Sequence, residues 1–480
     1  MDGGATGIEA STGSARSADF VTAECAVTVR GRAFDDIEGN TTARARTDHG
    51  GYRKYLLIFL LIVYAFNSAD RMALGVMLQD IKADFHLSDT QLGILTGVAF
   101  SLFYSLMGLP IARWADRGNR VRLISITAGL WGAAMMLCGA ASSFIQLVLI
   151  RVCVAVGEAG CMPAALSLIS DYYSRAHRAR AVAIYLQAGS VSTLLGYFAA
   201  GWVNQFFGWR TTFLFLGFPG AVLALLAWFT LREPRTMAPE TEPEQPAGAP
   251  TTGAPPEPES SDNLRQVLRV LWTNRTFRHL VYFYSVAVFF NVGIWQWQPA
   301  FFVRTFGLKS GELGTWITVI YAVGSILGTY LGGEFASRWA ANNERLQLKA
   351  MALAYSSLTV VSGLIYLAPN RYWAFAFTAL WSLVGTTIGG PLFATMQTLV
   401  PERMRATSIT LVMLCANLIG LGLGPLATGG LSDLLRGWTG EDSLRYALLI
   451  LCPGYMWAGW YLLQASRSVT GDLEAAEALG

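Results

Sequence analysis

Four ionisable residues stand inside otherwise apolar stretches: Asp70 and Arg71 in AFNSADRMAL, and Arg151 and Glu158 in LIRVCVAVGEAGCMP. If those stretches cross a bilayer, each charge costs at least about 2.5–3.5 kcal/mol on insertion scales, which makes it a functional candidate by default. Residues seven apart on a helix share a face at about 10 Å spacing, so Arg151 and Glu158 line one stripe. Asn67 and Arg71, four apart, share another, with Asp70 alongside. A carboxyl that is neutral in one state and charged in another is a natural proton carrier: burial favours its neutral form and a nearby guanidinium its charged form. The expected chemistry is therefore a proton-coupling charge network, with Asp70 and Glu158 as the proton-linked groups and Arg71 and Arg151 as their partners. A static ion-pair network is the other reading of the same residues. Glu158→Gln and Asp70→Asn are expected to abolish proton-driven uptake and leave folding intact. Glu334 is a further candidate at a helix end, and His49, His86, His177 and His279 lie outside or at the ends of apolar runs, so no histidine relay is expected.

The elements that position these charges follow from composition. The 480 residues are 53% hydrophobic and 14% charged, with a mean hydropathy of +0.41. A soluble chain carries nearer a quarter charged residues. A helix needs about 20 apolar residues to cross a bilayer, and such runs occur near 54–78, 91–112, 121–143, 145–169, 180–206, 209–231, 277–303, 312–336, 347–368, 371–398, 405–433 and 443–466. Twelve spans follow, in an all-α polytopic fold. Four loops on one side carry twelve basic residues, from Arg113 to Arg405, whereas six loops opposite share seven. Positive charge favours the cytoplasm, so both termini are expected there, in a bacterial inner (plasma) membrane.

The expected organisation is a disordered tail (1–50), a six-helix bundle (51–231), a cytoplasmic linker (232–275), a second bundle (276–467) and a short tail (468–480). The linker contains EPRTMAPETEPEQPAGAPTTGAPPEPESS, whose composition favours disorder. Beyond it, DNLRQVLRVLWTNR places Leu264, Val267, Leu268 and Leu271 on one face, which suits a helix lying on the membrane surface; a plain connector is the alternative. Residues 1–50 show no cleavable signal pattern. The six cysteines show no metal-ligand spacing, and no metal or other cofactor is expected. Basic residues are scattered among loops, which gives no support for nucleic acid as a partner.

The two halves repeat. An offset of 221 pairs Leu87 with Leu308, Gly93 with Gly314 and Arg117 with Arg338; an offset of 228 then pairs Gly157 with Gly385 and Pro163 with Pro391. Six-span copies joined on one side must be parallel repeats, an arrangement of major-facilitator-type transporters that alternate access around a midplane site. Asp70 pairs with Asn291, Arg71 with Val292, Arg151 with Ala379 and Glu158 with Thr386. Every charge of the first-half network is neutral in the second half. The first half is thus expected to couple ions, and a substrate cavity is expected around Asn67, Asn291, Trp295, Gln298 and Thr386. The loop GLPIARWADRGNRVR resembles the major facilitator signature, with Asp116, Arg117 and Arg120 matching; the resemblance implies a cytoplasmic gate.

NSADRMALGVMLQDIKADFHLSDTQLGILTG, RVCVAVGEAGCMPAALSLISDYY and the GWRTTF run at Gly208–Phe213 resemble the spinster-type branch of the major facilitator superfamily. That resemblance implies lysophospholipid-like or sphingolipid-like substrates, proton linkage in bacterial members, and functional roles for Asp70, Arg71, Arg151 and Glu158. The expected function is a proton-coupled secondary transporter of a small amphipathic organic anion, acting as a monomer in the lipid bilayer with small-molecule substrate and protons as its partners. A uniporter or drug, carboxylate or sugar transporter of the same fold is the alternative. A receptor or enzyme is more distant, since no catalytic cluster or soluble domain is evident.

Overall fold

The computed structural model describes residues 20–234, 272–340, 343–400 and 405–477, with side chains placed from Gly51 onward except at scattered positions that include Asp116. The expected surface helix and most of the linker fall outside the described residues, as do positions 1–19 and 478–480. The charge cluster, the seams between halves and the cavities all belong to the compact unit Phe59–Gly480; the unit Met1–Ile58 holds the first part of helix α1 (Phe20–Phe85).

Among the described residues there is no strand. Ten segments are long and apolar enough to cross a membrane. Two of them, His177–Thr230 with 54 residues and Val412–Leu473 with 62, are far too long for one crossing of about 30 Å at 1.5 Å per residue. Each turns back at a glycine in the positive-φ region, Gly208 (φ +80°) and Gly440 (φ +58°), where an L side chain would be strained. Twelve spans result. They are the Gly51–Phe85 part of α1, α2 (89–117), α3 (Arg120–Gly139), α4 (144–172), α5 (175–207) and α6 (209–230), then α7 (Arg275–Phe306), α8 (310–339), α9 (Glu344–Leu367), α10 (371–398), α11 (405–439) and α12 (443–477).

Polar caps start the helices where the chain emerges from an apolar run. Asn119, Ser143, Asn274, Asn343 and Asn370 accept hydrogen bonds from the first-turn N–H groups of α3, α4, α7, α9 and α10. Ser88 and Gln91 form a reciprocal capping box on α2. Helices α4 and α10 break at matching places, at Gly160 and at Thr387–Ile388, each followed by a proline, Pro163 or Pro391.

Pairing of the spans reproduces the sequence repeat. Helix α2 packs on α4, α3 on α4 and α3 on α6; the same contacts recur as α8 on α10, α9 on α10 and α9 on α12. Between halves, α2 packs on α11 and α5 on α8. A two-fold exchange of halves carries the first seam onto the second. The seams are built from small residues, because with lipid all around, backbones associate by close approach. A Cβ on Gly93 would lie 2.7 Å from the Pro425 carbonyl oxygen, and one on Gly201 2.6 Å from that of Ser310. Inside the first half, Gly132 and Gly217 meet in the same way, a Cβ on either lying within 3 Å of the other's carbonyl oxygen.

Candidate functional site

Helices α1 and α4 run antiparallel and bring the four expected charges together. The Arg151 guanidinium donates to Asp70 Oδ2 at 2.5 Å, and both side chains are fully buried. Arg71 Nη2 lies 3.2 Å from Glu158 Oε2, with Glu158 fully buried and Arg71 27% exposed. Arg71 follows Asp70 in α1, yet its partner sits about 10 Å along α4 from Arg151. The direction of helical side chains resolves this, since the Cα–Cβ bonds of α1 tilt toward its N-terminus and aim Arg71 back to the level of Glu158. Gly157 fixes the register of that carboxyl: a Cβ there would lie 2.6 Å from the Trp131 backbone nitrogen of α3.

The cluster is incompletely satisfied. Both Glu158 oxygens, Asp70 Oδ1, Arg151 Nε and Asn67 Nδ2 are buried without a hydrogen-bond partner. Arg71 and Glu158 thus meet at ion-pair distance without hydrogen-bond geometry. Two residues not anticipated from the sequence complete the site. The Phe100 ring of α2 lies within cation–π reach of both guanidinium groups, 5.2 Å from Arg71 and 5.4 Å from Arg151, and the Tyr104 ring lies 5.6 Å from Arg71. An aromatic on an apolar helix carries no signal in the sequence that separates it from packing; α2's four-residue spacing of Phe100 and Tyr104 is the only clue.

The neutral counterparts in the second half are dispersed. Gln298 of α7 is buried, accepts from Tyr321 Oη at 2.5 Å and donates weakly to Thr378 Oγ1 at 3.5 Å. Trp295 meets Tyr197 edge-on, and Tyr197 also meets Tyr321, so these rings bridge the halves at the α5–α8 seam. Gln296 reaches the Arg71 carbonyl at 3.4 Å. Asn291 is half-buried, whereas the Thr386 hydroxyl donates to the carbonyls of Gly324 and Ser382 and is engaged in packing α10 on α8.

At the end of the bundle away from the linker, here the far end, charges cross between halves. Asp89 accepts from Lys82 at 2.5 Å, from both terminal nitrogens of Arg304 (α7) at 2.8 and 2.6 Å, and from Ser432 (α11) at 2.7 Å. Asp433 of α11 in turn accepts from the N–H groups of Asp89 and Thr90 and from the Thr90 hydroxyl, at 3.0, 2.7 and 2.6 Å. A carboxylate thereby satisfies free N–H groups at the start of α2. The α5–α8 seam is closed there by neutral bonds: Ser310 to the Gly201 carbonyl at 3.1 Å, Gly311 N–H to Gln205 at 3.0 Å, and Trp202 to Thr315 at 3.1 Å.

The linker end differs. The α5–α8 seam parts there around a cavity of about 630 Å³ lined by Gln187, Ser190, Thr193, Ser325, Thr329 and Tyr330, among others. Of the expected gate residues, Arg120 is fully buried and bound to the start of the linker and to the first half: to Glu233 through its guanidinium and its own N–H (2.7 Å), to Asp171 at 2.7 Å, and to Ser167. Arg117 is exposed, and the Asp116 side chain lies outside the described residues. Glu334 pairs with Arg338 one turn away on α8, partly exposed.

Residues 60–471 match the family model of the Major Facilitator Superfamily. The chain is 30% identical over 435 residues to an MFS-type efflux pump of Mycolicibacterium smegmatis, covering 89% of this chain and 96% of that one. It is 25% identical to Protein spinster homolog 1 of Xenopus tropicalis, with coverage of 89% and 83%. Among solved structures, a bacterial homolog of the human lysosomal transporter spinster, inward-facing and occupied, superimposes with a TM-score of 0.74 at 28% identity, covering 88% of this chain and 98% of that one. Its unoccupied inward-facing form gives 0.72 at 29%, with the same coverage. A chain of twelve membrane-spanning helices with these relatives is a multi-pass membrane transporter rather than an enzyme, and it belongs to the Major Facilitator Superfamily as a spinster-like member.

Proposed function

We propose that the chain is a proton-coupled secondary transporter that moves a small amphipathic organic anion or lysolipid-like molecule by alternating access, with Glu158 as the proton carrier. The observation that carries this reading is the buried Glu158 carboxyl, 3.2 Å from Arg71 yet without any hydrogen bond of its own. With both pairs ionised the cluster is neutral. A proton on Glu158 leaves one net positive charge and frees Arg71, the most accessible of the four. An anionic head group restores neutrality by taking the place of the carboxylate on Arg71. One proton and one negative charge therefore enter the site together, and neither is favoured alone, because an unpaired buried charge is costly.

Asp70 and Arg151 form the fixed counterpart that holds α1 on α4. Asn67, Asn291, Trp295 and Gln298 offer amide and aromatic surface to the rest of the substrate, with Thr386 behind them in the α8–α10 packing. The linker end is read as cytoplasmic, which makes the described state inward-facing: sealed by Asp89 and Arg304 and parted near Ser190 and Ser325. Asp116, Arg117 and Arg120 belong to the cytoplasmic gate region, where Arg120 anchors the start of the linker. A bacterial plasma membrane and a monomeric unit complete the reading. Likeness to an efflux pump at 30% identity favours drug-type export as the second reading.

Flux into proteoliposomes with and without an imposed pH gradient tests the proposal. Wild-type protein is expected to accumulate substrate only with the gradient. Glu158→Gln should lose that dependence while still exchanging substrate across the bilayer; full gradient-driven accumulation by Glu158→Gln would overturn it.

A further inference from the structure

On the outer surface of the second half, α9 and α12 leave a groove of about 300 Å³, lined by Lys349, Leu353, Met456, Trp460 and Leu463 among others. Its floor is the helix contact at Gly459, where a Cβ would collide with Ser356 Oγ and lie 3.0 Å from the Ala352 carbonyl oxygen. The walls face the bilayer: Leu353 is 75%, Met456 56% and Trp460 49% exposed. A trench of this kind is filled by an acyl chain, because an empty one forfeits the dispersion contacts of its lining. Trp460 adds an amphipathic ring of the sort that settles at head-group level.

The two helix faces that form the groove share a pattern. Arg345, Lys349, Ala352 and Ser356 recur at helical spacing on α9, and Met456, Trp460, Leu463 and Arg467 do so on α12. Helix α9 starts and α12 ends at the linker end, so each face passes from apolar to basic toward that end. Measured along the axes from the Ser356–Gly459 contact, Lys349 stands about 10 Å away and Arg467 about 12 Å, in the same direction. The two cations therefore sit at one level on opposite lips of the groove, with Arg345 about 6 Å further out along α9. All three side chains are exposed, and among the described residues none forms an ion pair; Arg467 touches only Gln464, at 3.3 Å. The next acidic residue along α12, Asp472, is engaged by the Thr276 N–H at 2.6 Å. Glu344 is turned about 100° round α9 from Arg345.

We infer that this groove is a binding site for one anionic phospholipid of the leaflet at the linker end. An acyl chain lies along Leu353, Met456 and Leu463, and the phosphate sits between Lys349 and Arg467, with Arg345 above it. Basic pockets between membrane helices select anionic lipids in this way. Both walls belong to the second half, so the site depends neither on proton linkage nor on which end of the transporter is open.

Native mass spectrometry of the purified full chain, titrated with phosphatidylglycerol or with phosphatidylcholine of the same acyl chains, tests this. One phosphatidylglycerol per chain should be retained about fivefold or more tightly than phosphatidylcholine, and sn-glycerol 3-phosphate should show no saturable binding. Lys349→Gln should weaken retention about fivefold, and Arg345→Gln/Lys349→Gln/Arg467→Gln should erase the preference. Leu463→Trp fills the groove, keeps the charges and should also release the lipid. Arg113→Gln/Arg122→Gln removes two exposed charges at the same end of the first half and should change nothing. Equal retention of the two lipids overturns the inference, as does a preference that survives the triple substitution or Leu463→Trp. So does a preference lost equally in Arg113→Gln/Arg122→Gln, which would assign it to basic charge at that end in general, or glycerol 3-phosphate binding as tightly as the lipid.

Discussion

Arg71 and Glu158 approach to 3.2 Å, but neither oxygen of Glu158 accepts a hydrogen bond, whereas Asp70 and Arg151 beside them are joined at 2.5 Å by a formed one. Two ion pairs on the same two helices thus differ in kind: one loose, with its guanidinium partly exposed, and one closed and fully buried. The sequence reading treated Asp70 and Glu158 as equivalent. The structure separates their expected behaviour.

Glu158→Gln replaces a carboxyl that holds no hydrogen bond by an amide of the same shape. Its melting temperature should fall less than that of Asp70→Asn, because the Arg71 it leaves unpaired is partly exposed, while gradient-driven transport is lost. Asp70→Asn instead strands a buried guanidinium, which costs about 3–5 kcal/mol. It should lower the melting temperature markedly, and the double variant Asp70→Asn/Arg151→Met should recover much of it. Thermal unfolding of the three proteins decides this.

Phe100 lies over both arginines. Phe100→Leu keeps apolar volume and removes the ring faces, a loss of about 0.5–2 kcal/mol per cation–π contact. Half-saturating substrate concentration should rise by several-fold to tenfold, with gradient dependence preserved.

The far-end latch should respond to Asp89→Asn or Arg304→Gln. Either removes a charge-assisted bond that ties α2 to α7 and α11. Spin labels at exposed positions 207 and 309, one per half, should shift toward longer distances, and transport should fall. An unchanged distance distribution would show that small-residue packing alone closes this end.

Gly314→Ala tests that packing. A Cβ at Gly314 would collide with the Tyr197 backbone carbonyl. The far end of the α5–α8 seam should then fail to close, with the same labels reporting an expanded state while the protein remains folded, because the collision exists only in the closed arrangement.

Glu233→Gln leaves Arg120 buried beside Asp171 and Ser167 but removes its nearest carboxylate. Stability should fall by about 1–3 kcal/mol, since Asp171 still balances the charge, read as reduced melting temperature and easier proteolysis after residue 232.

What the sequence made legible was whatever is rare in an apolar run. Asp70, Arg71, Arg151 and Glu158 stood out because the bilayer penalises charge, and the repeat then assigned them to one half. Their crossed pairing was not legible, since it depends on antiparallel packing of α1 on α4 and on the backward tilt of Arg71. Arg304 and Lys82 were visible only as loop charges for orientation, although with Asp89 they form the best-bonded contact between halves. Arg120 matched a signature, but its partners Glu233 and Asp171 are distant in sequence and emerge only once α3, α4 and α6 are folded together. Thr386, the repeat partner of Glu158, faced the expected cavity on paper and binds backbone carbonyls in the structure.

The two-fold relation of the seams is broken at the far end: charged groups bind α2 to α11, while neutral hydrogen bonds and small residues bind α5 to α8. Salt and solvent screening act on the first bond set and hardly on the second. A rocking motion of the halves is therefore not symmetric about their shared axis. Its pivot is displaced toward whichever seam holds longer, so ionic strength on the far side acts as a steering variable for the route of motion as well as its rate.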